Sequence, residues 1–337
     1  MNQFGYSKNT KLECGISKSI PNIFNKYCSK WKEKNTFSIC TWNIWGAAHF
    51  DNISLIKKRL PYIIQELKNN NNDIICLQEV SQSIIDELCY TDFIKNNYYI
   101  SSVKQPWKSK KVKLDNSAYN GYEPNCWCVI LSKFAVIKSD HLILKSDLLE
   151  FSTVIADLGF VTIVNLHLQS GGMGSGKDYK SGIIYHQCRK TQMKEIKKFV
   201  KDNYNNKSVI YLGDFNCDLN TNKLFPETKN ITNNLIDSWT YLKNKGLDGT
   251  TENTYINTMR YNIKKLHKNF RYDGILYNSD KINAIESTIF GLESIFEISS
   301  NAFKKIYNYE PIIVNKNDNV DWFLSDHFGL ITTFEFI

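Results

Sequence analysis

The chain has 337 residues, 42% hydrophobic and 13% aromatic, with a formal net charge of +8. That is enough apolar material for one large α/β domain or two ordinary ones. No apolar run approaches the roughly 18 residues needed to span a bilayer, and the N-terminus lacks the apolar segment of a secretory signal. The expectation is a soluble intracellular protein, in cytoplasm or nucleus, without membrane insertion.

Nine cysteines occur without paired C-x-x-C spacing, several of them inside apolar runs such as "FSIC" and "DIICLQ". Reduced, mostly buried thiols are expected rather than a zinc site. Residues 1–36 hold seven lysines against Glu13 and Glu33, a net +5 of the +8. They show no clear period and read as a loosely ordered basic extension with weak attraction to polyanions. One domain from 37 to 337 is expected to follow.

From Phe37 the texture changes. "FSICTWNIWG" reads as a strand ending in Asn and Gly. "LIKKRLPYIIQELKNN" has helical apolar spacing and an Asn-rich stop, and "DIICLQEV" is a second buried strand. "SQSIIDELCYTDFI" reads as one helix with Ser81 or Ser83 as N-cap. "NCWCVILSK" is a third strand, and "TVIADLGFVTIVNLHLQS" a hairpin turning at Leu158-Gly159. "CRKTQMKEIKKFVKDN" is an amphipathic helix that places Arg189 near its start, paired with a surface carboxylate. "SVIYLGDFN" follows, and "FRYDGILYN" and "FGLITTFEFI" supply late strands. Strands alternating with helices, with hairpins interspersed, predict a layered α/β fold with mixed sheets.

The strand ends share a feature. "TWNIWG" carries Asn43, "ICLQEV" Gln78 and Glu79, and "VNLHLQS" His167, Gln169 and Ser170. "LGDFNCD" carries Asp214 and Asn216, "FRYDGIL" Arg271 and Asp273, and "LSDHFGL" Ser325, Asp326 and His327. Gly, Asp and Asn are also ordinary turn formers, but six such ends together predict one cleft at a shared sheet edge. Glu79 and Asp326 are hard oxygen donors suited to Mg²⁺. Asn43, Asn216 and His167 can donate to phosphate oxygens, and Asp273 with His327 can form a carboxylate–imidazole pair. Phosphoryl transfer needs this set: a metal, donors for developing charge, and a group that orients or deprotonates the nucleophile.

Taken in order, "TWNIWG", "LQEV", "NLHLQS", "GDFN", "RYDGIL" and "SDHFGL" resemble the endonuclease/exonuclease/phosphatase superfamily with the deoxyribonuclease I-like fold, over nearly all of 37–337. The resemblance implies a four-layered α/β sandwich, two packed mixed β-sheets flanked by helices. It implies a Mg²⁺-dependent phosphodiesterase, with Mn²⁺ as a possible substitute. By the same resemblance Glu79 binds the metal with support from Asp326, and Asn43 frames the site. Asp214 positions the nucleophile, Asn216 and His167 hold phosphate, and His327 meets the scissile phosphate, oriented by Asp273.

Within the superfamily "IDSWTYL", "TYINTM", "FRYDGILY" and "GLES" are similar to the tyrosyl-DNA phosphodiesterase 2 group, which releases tyrosine from DNA 5′ ends. Asp218 stands where that group has an Arg that reaches substrate, and a carboxylate there would repel phosphate. This departure weakens the carry-over of the precise substrate but not of the phosphoesterase chemistry. DNA is the expected substrate ahead of RNA, and the protein is expected to act as a monomer.

"KQPWKSKKVK" packs five lysines around Trp107. Trp107 and Lys108 read as a strand-binding loop, alternatively as a solvated one. The glycine-rich run 170–182, which begins at Ser170, lacks a phosphate-loop signature because Asp178 follows Lys177; it reads as a loop beside the cleft. Tyr255 is placed to stack on a base. The competing readings are a neutral sphingomyelinase-like or inositol-phosphate enzyme of the same superfamily, and a catalytically dead scaffold. The basic segments argue against the lipid substrate, and the complete residue set argues against the scaffold.

Overall fold

The computed structural model describes residues 35–46, 54–101, 127–144, 151–171, 179–204, 208–220, 224–242, 248–259, 267–307, 310–311 and 313–337. The chain divides between Asn35 and Thr36, and the site lies wholly in the unit Thr36–Ile337. The basic extension, Trp107, Lys108 and most of the glycine-rich run fall outside the described residues.

The strands are β1 (Thr36–Asn43), β2 (Ile74–Val80), β3 (Tyr99–Ile100), β4 (Trp127–Ser132), β5 (Lys138–Leu144), β6 (Phe151–Asp157), β7 (Thr162–His167) and β8 (Val209–Asp214). They continue with β9 (Ile236–Asp237), β10 (Glu252–Asn253), β11 (Asn269–Phe270), β12 (Asp273–Asn278), β13 (Ile282–Phe290), β14 (Ser294–Ser299), β15 (Asn319–Phe323) and β16 (Gly329–Phe336). The helices are α1 (Ile56–Asn70), α2 (Gln82–Tyr90), α3 (Asp92–Asn97), α4 (Tyr179–Asn203), α5 (Thr228–Thr232), α6 (Ser238–Tyr241) and α7 (Ser300–Tyr307).

Two six-stranded sheets run in the orders β13-β16-β1-β2-β4-β3 and β5-β6-β7-β8-β12-β9. At the centre of each lies one parallel pair, β1 with β2 and β7 with β8, flanked by antiparallel neighbours. Parallel neighbours need a crossover, and the helices α1 and α4 provide it. The sheets are therefore mixed.

Period-2 alternation builds the layers. Ile39, Ile74, Cys76 and Ile130 of the first sheet share one core with Val154, Ile163, Ile210, Leu212 and Ile275 of the second. The alternate residues Cys40, Trp42, Ile75 and Leu77 pack outward with Ile56, Ile63, Leu67 and Ile84 of α1 and α2. Ile155, Val164 and Leu166 pack outward with Met193, Ile196 and Val200 of α4. The fold is a four-layered α/β sandwich, helix–sheet–sheet–helix.

Local differences from the sequence reading have local causes. The segment read as one helix is two, broken at Thr91, whose backbone turns extended (φ −71°, ψ 120°). Ser81 occupies the N-cap of α2 without a side-chain cap bond, its hydroxyl meeting that of Ser83 instead. The hairpin turns where expected, with Gly159 at φ +87°. β5, β13 and the antiparallel pair β14–β15, whose strands are separated by α7, are additional.

Candidate active site

The inward-facing period that builds the inter-sheet core ends on polar residues. After Ile39 and Thr41 the next inward position is Asn43, and after Ile74 and Cys76 it is Gln78. Ile163 and Asn165 lead to His167, Ile210 and Leu212 to Asp214, and in reverse Tyr277 and Ile275 to Asp273. The register seats Asn43 beside Gln78, His167 beside Asp214, and Asp214 beside Asp273. The site is thus the polar end of the seam between the sheets.

One layer below, the seam is stitched. Gln78 Nε2 donates to Asn165 Oδ1 (2.7 Å) and to Thr41 Oγ1 (3.0 Å). Asn165 Nδ2 donates to the carbonyls of Leu77 (3.0 Å) and Val129 (2.9 Å). These residues are buried; both amide nitrogens are bonded while Gln78 Oε1 has no partner, and bonded buried polar groups make the pairing of the sheets specific.

Local backbone devices aim the remaining groups. A β-bulge shifts the β2–β4 register between Leu77 and Val80, and within it Glu79 sits at φ +56°. A bulge re-aims a side chain; without it Glu79 would face outward. Instead its Oε1 accepts from Asn43 Nδ2 (3.1 Å), and that same nitrogen donates to Asp214 Oδ2 (3.0 Å). Gly213, at φ +138°, lies so close to β7 that a Cβ would stand 1.9 Å from the Leu166 carbonyl. Asn216 (φ +51°) closes an Asx turn, its N–H donating to Asp214 Oδ1 (2.8 Å) and its carboxamide to the Leu168 carbonyl (2.9 Å). Non-glycine residues at positive φ gather where surrounding structure fixes them, often at functional sites.

His327 arrives on the loop between β15 and β16. Ser325 Oγ donates to the Asn43 carbonyl (2.6 Å), and Trp42 Nε1 to the His327 carbonyl (3.0 Å). His327 Nδ1 meets Asp273 Oδ2 at 2.7 Å, and His167 Nε2 stands 3.5 Å from Asp214 Oδ2. Donor atoms of Asp214, Asp273 and His327 all lie within 4.8 Å of one another. Because Asn43 bridges Glu79 to Asp214, the three residues Glu79, Asp214 and His327 meet in one place.

Burial pushes the Asp214 carboxyl above the usual range, Asp273 adding to the effect while His327, His167 and the Asn43 hydrogen bond oppose it. Burial alone would lower the His327 imidazole; the bonded Asp273 carboxylate, with Asp326 and Asp214 nearby, reverses this and holds it well above the ordinary value. Two carboxylates and an imidazolium thus occupy a site almost without solvent. Asp273 Oδ1 is buried with no hydrogen-bond partner, which leaves a hard oxygen donor available. The donor set, carboxylates from Glu79, Asp214 and Asp273, fits a divalent cation such as Mg²⁺.

Asp326, expected beside the metal, is buried and accepts from Ser325 Oγ (3.3 Å). Among the described residues, Asp214, Asp273 and His327 form a group of donors within 4.8 Å of one another. Ser170 lies at the partly exposed exit of β7, its carbonyl accepting from Gln169 Nε2 (2.9 Å). Tyr255 is 68% exposed and stacks flat on His267, ring centroids 4.4 Å apart.

Two expectations are corrected. Asp218 is turned into the fold: it is 4% exposed and accepts the backbone N–H groups of Asn220 (3.1 Å) and Arg271 (3.2 Å). Arg271, at a strand end as read from the sequence, is fully buried and paired with Asp237. Arg189 lies within the 25-residue α4 rather than near its start, fully buried, and pairs with buried Glu227 at 2.6 Å. The sequence reading passed over Gln78 and Asn165 as structural partners of the site, although both sit on inward strand positions. It also missed Arg59, a cation in an apolar helix stripe.

Comparison with known proteins agrees with this layout. Residues 40–262 match the Endonuclease/Exonuclease/phosphatase family. No curated protein matches the sequence. TDP2 from C. elegans shares 20% identity and a TM-score of 0.56, covering 89% of this chain and 75% of that one. TDP2 from D. rerio complexed with single strand DNA product shares 15% identity and a TM-score of 0.59, covering 90% and 100%. A family protein from Bacteroides thetaiotaomicron shares 14% identity and a TM-score of 0.59, covering 90% and 95%. These likenesses concern the fold. With two thirds of the chain matched by the family profile and its sandwich and seam-end cluster in place, the chain belongs to the Endonuclease/Exonuclease/phosphatase family.

Proposed function

We propose that the protein is a divalent-cation-dependent phosphodiesterase acting on nucleic acid, with DNA 5′ ends, including a 5′-tyrosyl adduct, as its substrate class. The observation that carries this reading is the convergence of Glu79, Asp214 and Asn43 with the Asp273–His327 pair at one seam. Family membership supports phosphoester chemistry, and the fold likeness to TDP2 supports the DNA end.

In this reading Glu79 and the buried carboxylates hold Mg²⁺, with Asp326 behind them. The cation, when bound, supplies Lewis-acid polarisation of a phosphoryl oxygen. Asp214 orients or deprotonates the attacking water, its own position fixed by Asn43 and Asn216. His327, held as imidazolium by Asp273, meets charge developing on the phosphate, and His167 is a second donor to it. Preorganised donors of this kind supply a large share of catalysis. Tyr255 offers an exposed stacking face, and Trp107, Lys108 and Ser170 serve as substrate contacts. Asp218, turned into the fold, does not oppose a phosphate.

The test uses 5′-labelled single-strand, duplex and 5′-phosphotyrosyl oligonucleotides, each with Mg²⁺, with EDTA and with Asp214→Asn protein, and sphingomyelin in parallel. Tyrosine release that requires both Mg²⁺ and Asp214 is expected. Turnover of sphingomyelin with silence on DNA would overturn the substrate class.

A further inference from the structure

Two fully buried arginines repeat one arrangement in the two halves of the fold. Each lies on the crossover helix of a central parallel pair. Each grips backbone carbonyls just beyond the site residue that ends the preceding strand. In the first half, Arg59 of α1 donates Nη1 to the Ile44 carbonyl (3.0 Å) and Nη2 to the Trp45 carbonyl (2.8 Å), directly after Asn43. Its Nη1 also donates to the Leu324 carbonyl, three residues before His327, and its Nε to the Ser54 carbonyl (2.6 Å). In the second half, Arg189 of α4 donates Nη1 to the carbonyls of Gln169 (2.9 Å) and Gly171 (2.6 Å), two and four residues after His167. Its Nε donates to Glu227 Oε1 (2.7 Å). Gln192, one turn on, accepts the Gln169 N–H (2.9 Å).

A buried guanidinium offers five donors in a rigid plane. It can fix several carbonyls of one segment at once, which lysine, a point charge on a flexible stem, cannot. A charge with no exposed surface is costly, and neither arginine touches the reacting groups. Their shared property is the segment each one holds.

We infer that Arg59 and Arg189 are paired positioning residues, one per sheet: Arg59 sets Asn43 and His327, and Arg189 sets His167. The kinetic arm of the test rests on the phosphodiesterase reading; the spectroscopic arm does not. Arg59→Lys and Arg189→Lys are made in the full chain, each keeping its charge. A misplacement near 1 Å costs about 100-fold in rate, so kcat is expected to fall about 10- to 100-fold with KM nearly unchanged.

Double-mutant cycles then separate positioning from general destabilisation. Arg189→Lys loses its effect on kcat in a His167→Ala background and keeps it in a His327→Ala background; Arg59→Lys does the reverse. Independently of activity, the imidazole Hε1–Cε1 NMR signal of His167 shifts in Arg189→Lys, and that of His327 in Arg59→Lys, with the other signal unmoved. Additivity in the Arg189–His167 or Arg59–His327 cycle, or both imidazole signals moving together or not at all, overturns the inference. If Arg189→Lys does not fold, Gln192→Leu leaves both buried charges and is expected to shift the His167 signal alone; an unmoved signal overturns the Arg189 half. An inactive wild type with the selective NMR shifts intact would fail the functional reading and uphold the clamps.

Discussion

At the residue scale the decisive group is a carboxamide. Asn43 places one nitrogen between two carboxylates, Glu79 and Asp214. Asn43→Ala removes the donor that the two carboxylates share, and one lost preorganised donor costs on the order of 100- to 1000-fold in kcat. A drop of that size, with KM within a few-fold on a 5′-labelled oligonucleotide, is the expected result; a drop under threefold refutes the bridge. The Asp273–His327 bond makes a second prediction, about pH. Its carboxylate lifts the folded imidazole well above the unfolded value of about 6.5. The pair's stabilisation is therefore fully present below about pH 6.5 and fades as pH rises through the raised folded value. Asp273→Asn should lose most stability at pH 6 and progressively less toward pH 9, by urea unfolding in EDTA; a gap that widens with pH contradicts it. Asp214, Asn216, Asp273 and His327 were legible in sequence because they follow apolar strands in a recognisable order. Arg189 and Asp218 were misread, since charge in sequence defaults to surface and only tertiary structure shows a buried partner.

At the element scale, a strict period of two carries both the core and the site. The central strands were legible for that reason. The edge strands β5 and β13 were not, because half-exposed edges mix polar residues into both faces. The bulge at Glu79 was also invisible: "ICLQEV" reads as a plain strand, and the αL turn is imposed by pairing with β4. Asn165 tests how far the seam depends on its polar stitch. Asn165→Leu takes a donor from two buried carbonyls and one of the acceptors of the Gln78 amide, at about 1–3 kcal/mol per orphaned group; a loss of about 2–4 kcal/mol in urea unfolding is expected. Gln78→Leu with Asn165→Leu should cost less than the sum of the single changes, since an apolar pair leaves fewer orphans. Strict additivity would mean that the two amides do not act as one network.

At the scale of the whole molecule, the site is shared between the sheets. Glu79, half-buried, comes from the first, while the buried Asp214 and Asp273 come from the second, and burial does nothing to weaken the repulsion between the two aspartates. Among the described residues no helix is long and apolar enough to cross a membrane. A divalent cation bound among the carboxylates would offset their repulsion and tie one sheet to the other. Binding to the folded state alone stabilises by about 2.7 kcal/mol at a concentration 100-fold over Kd. Saturating Mg²⁺ should therefore raise the melting temperature above that in EDTA by several degrees. KCl at equal ionic strength should not, because screening weakens exposed charges far more than buried ones. Glu79→Gln, which removes the first sheet's charge, should abolish most of the Mg²⁺ shift while leaving the EDTA baseline equal or higher, because one source of repulsion is gone. An Mg²⁺ shift that survives in Glu79→Gln would place the cation on the second sheet alone and dissolve the staple.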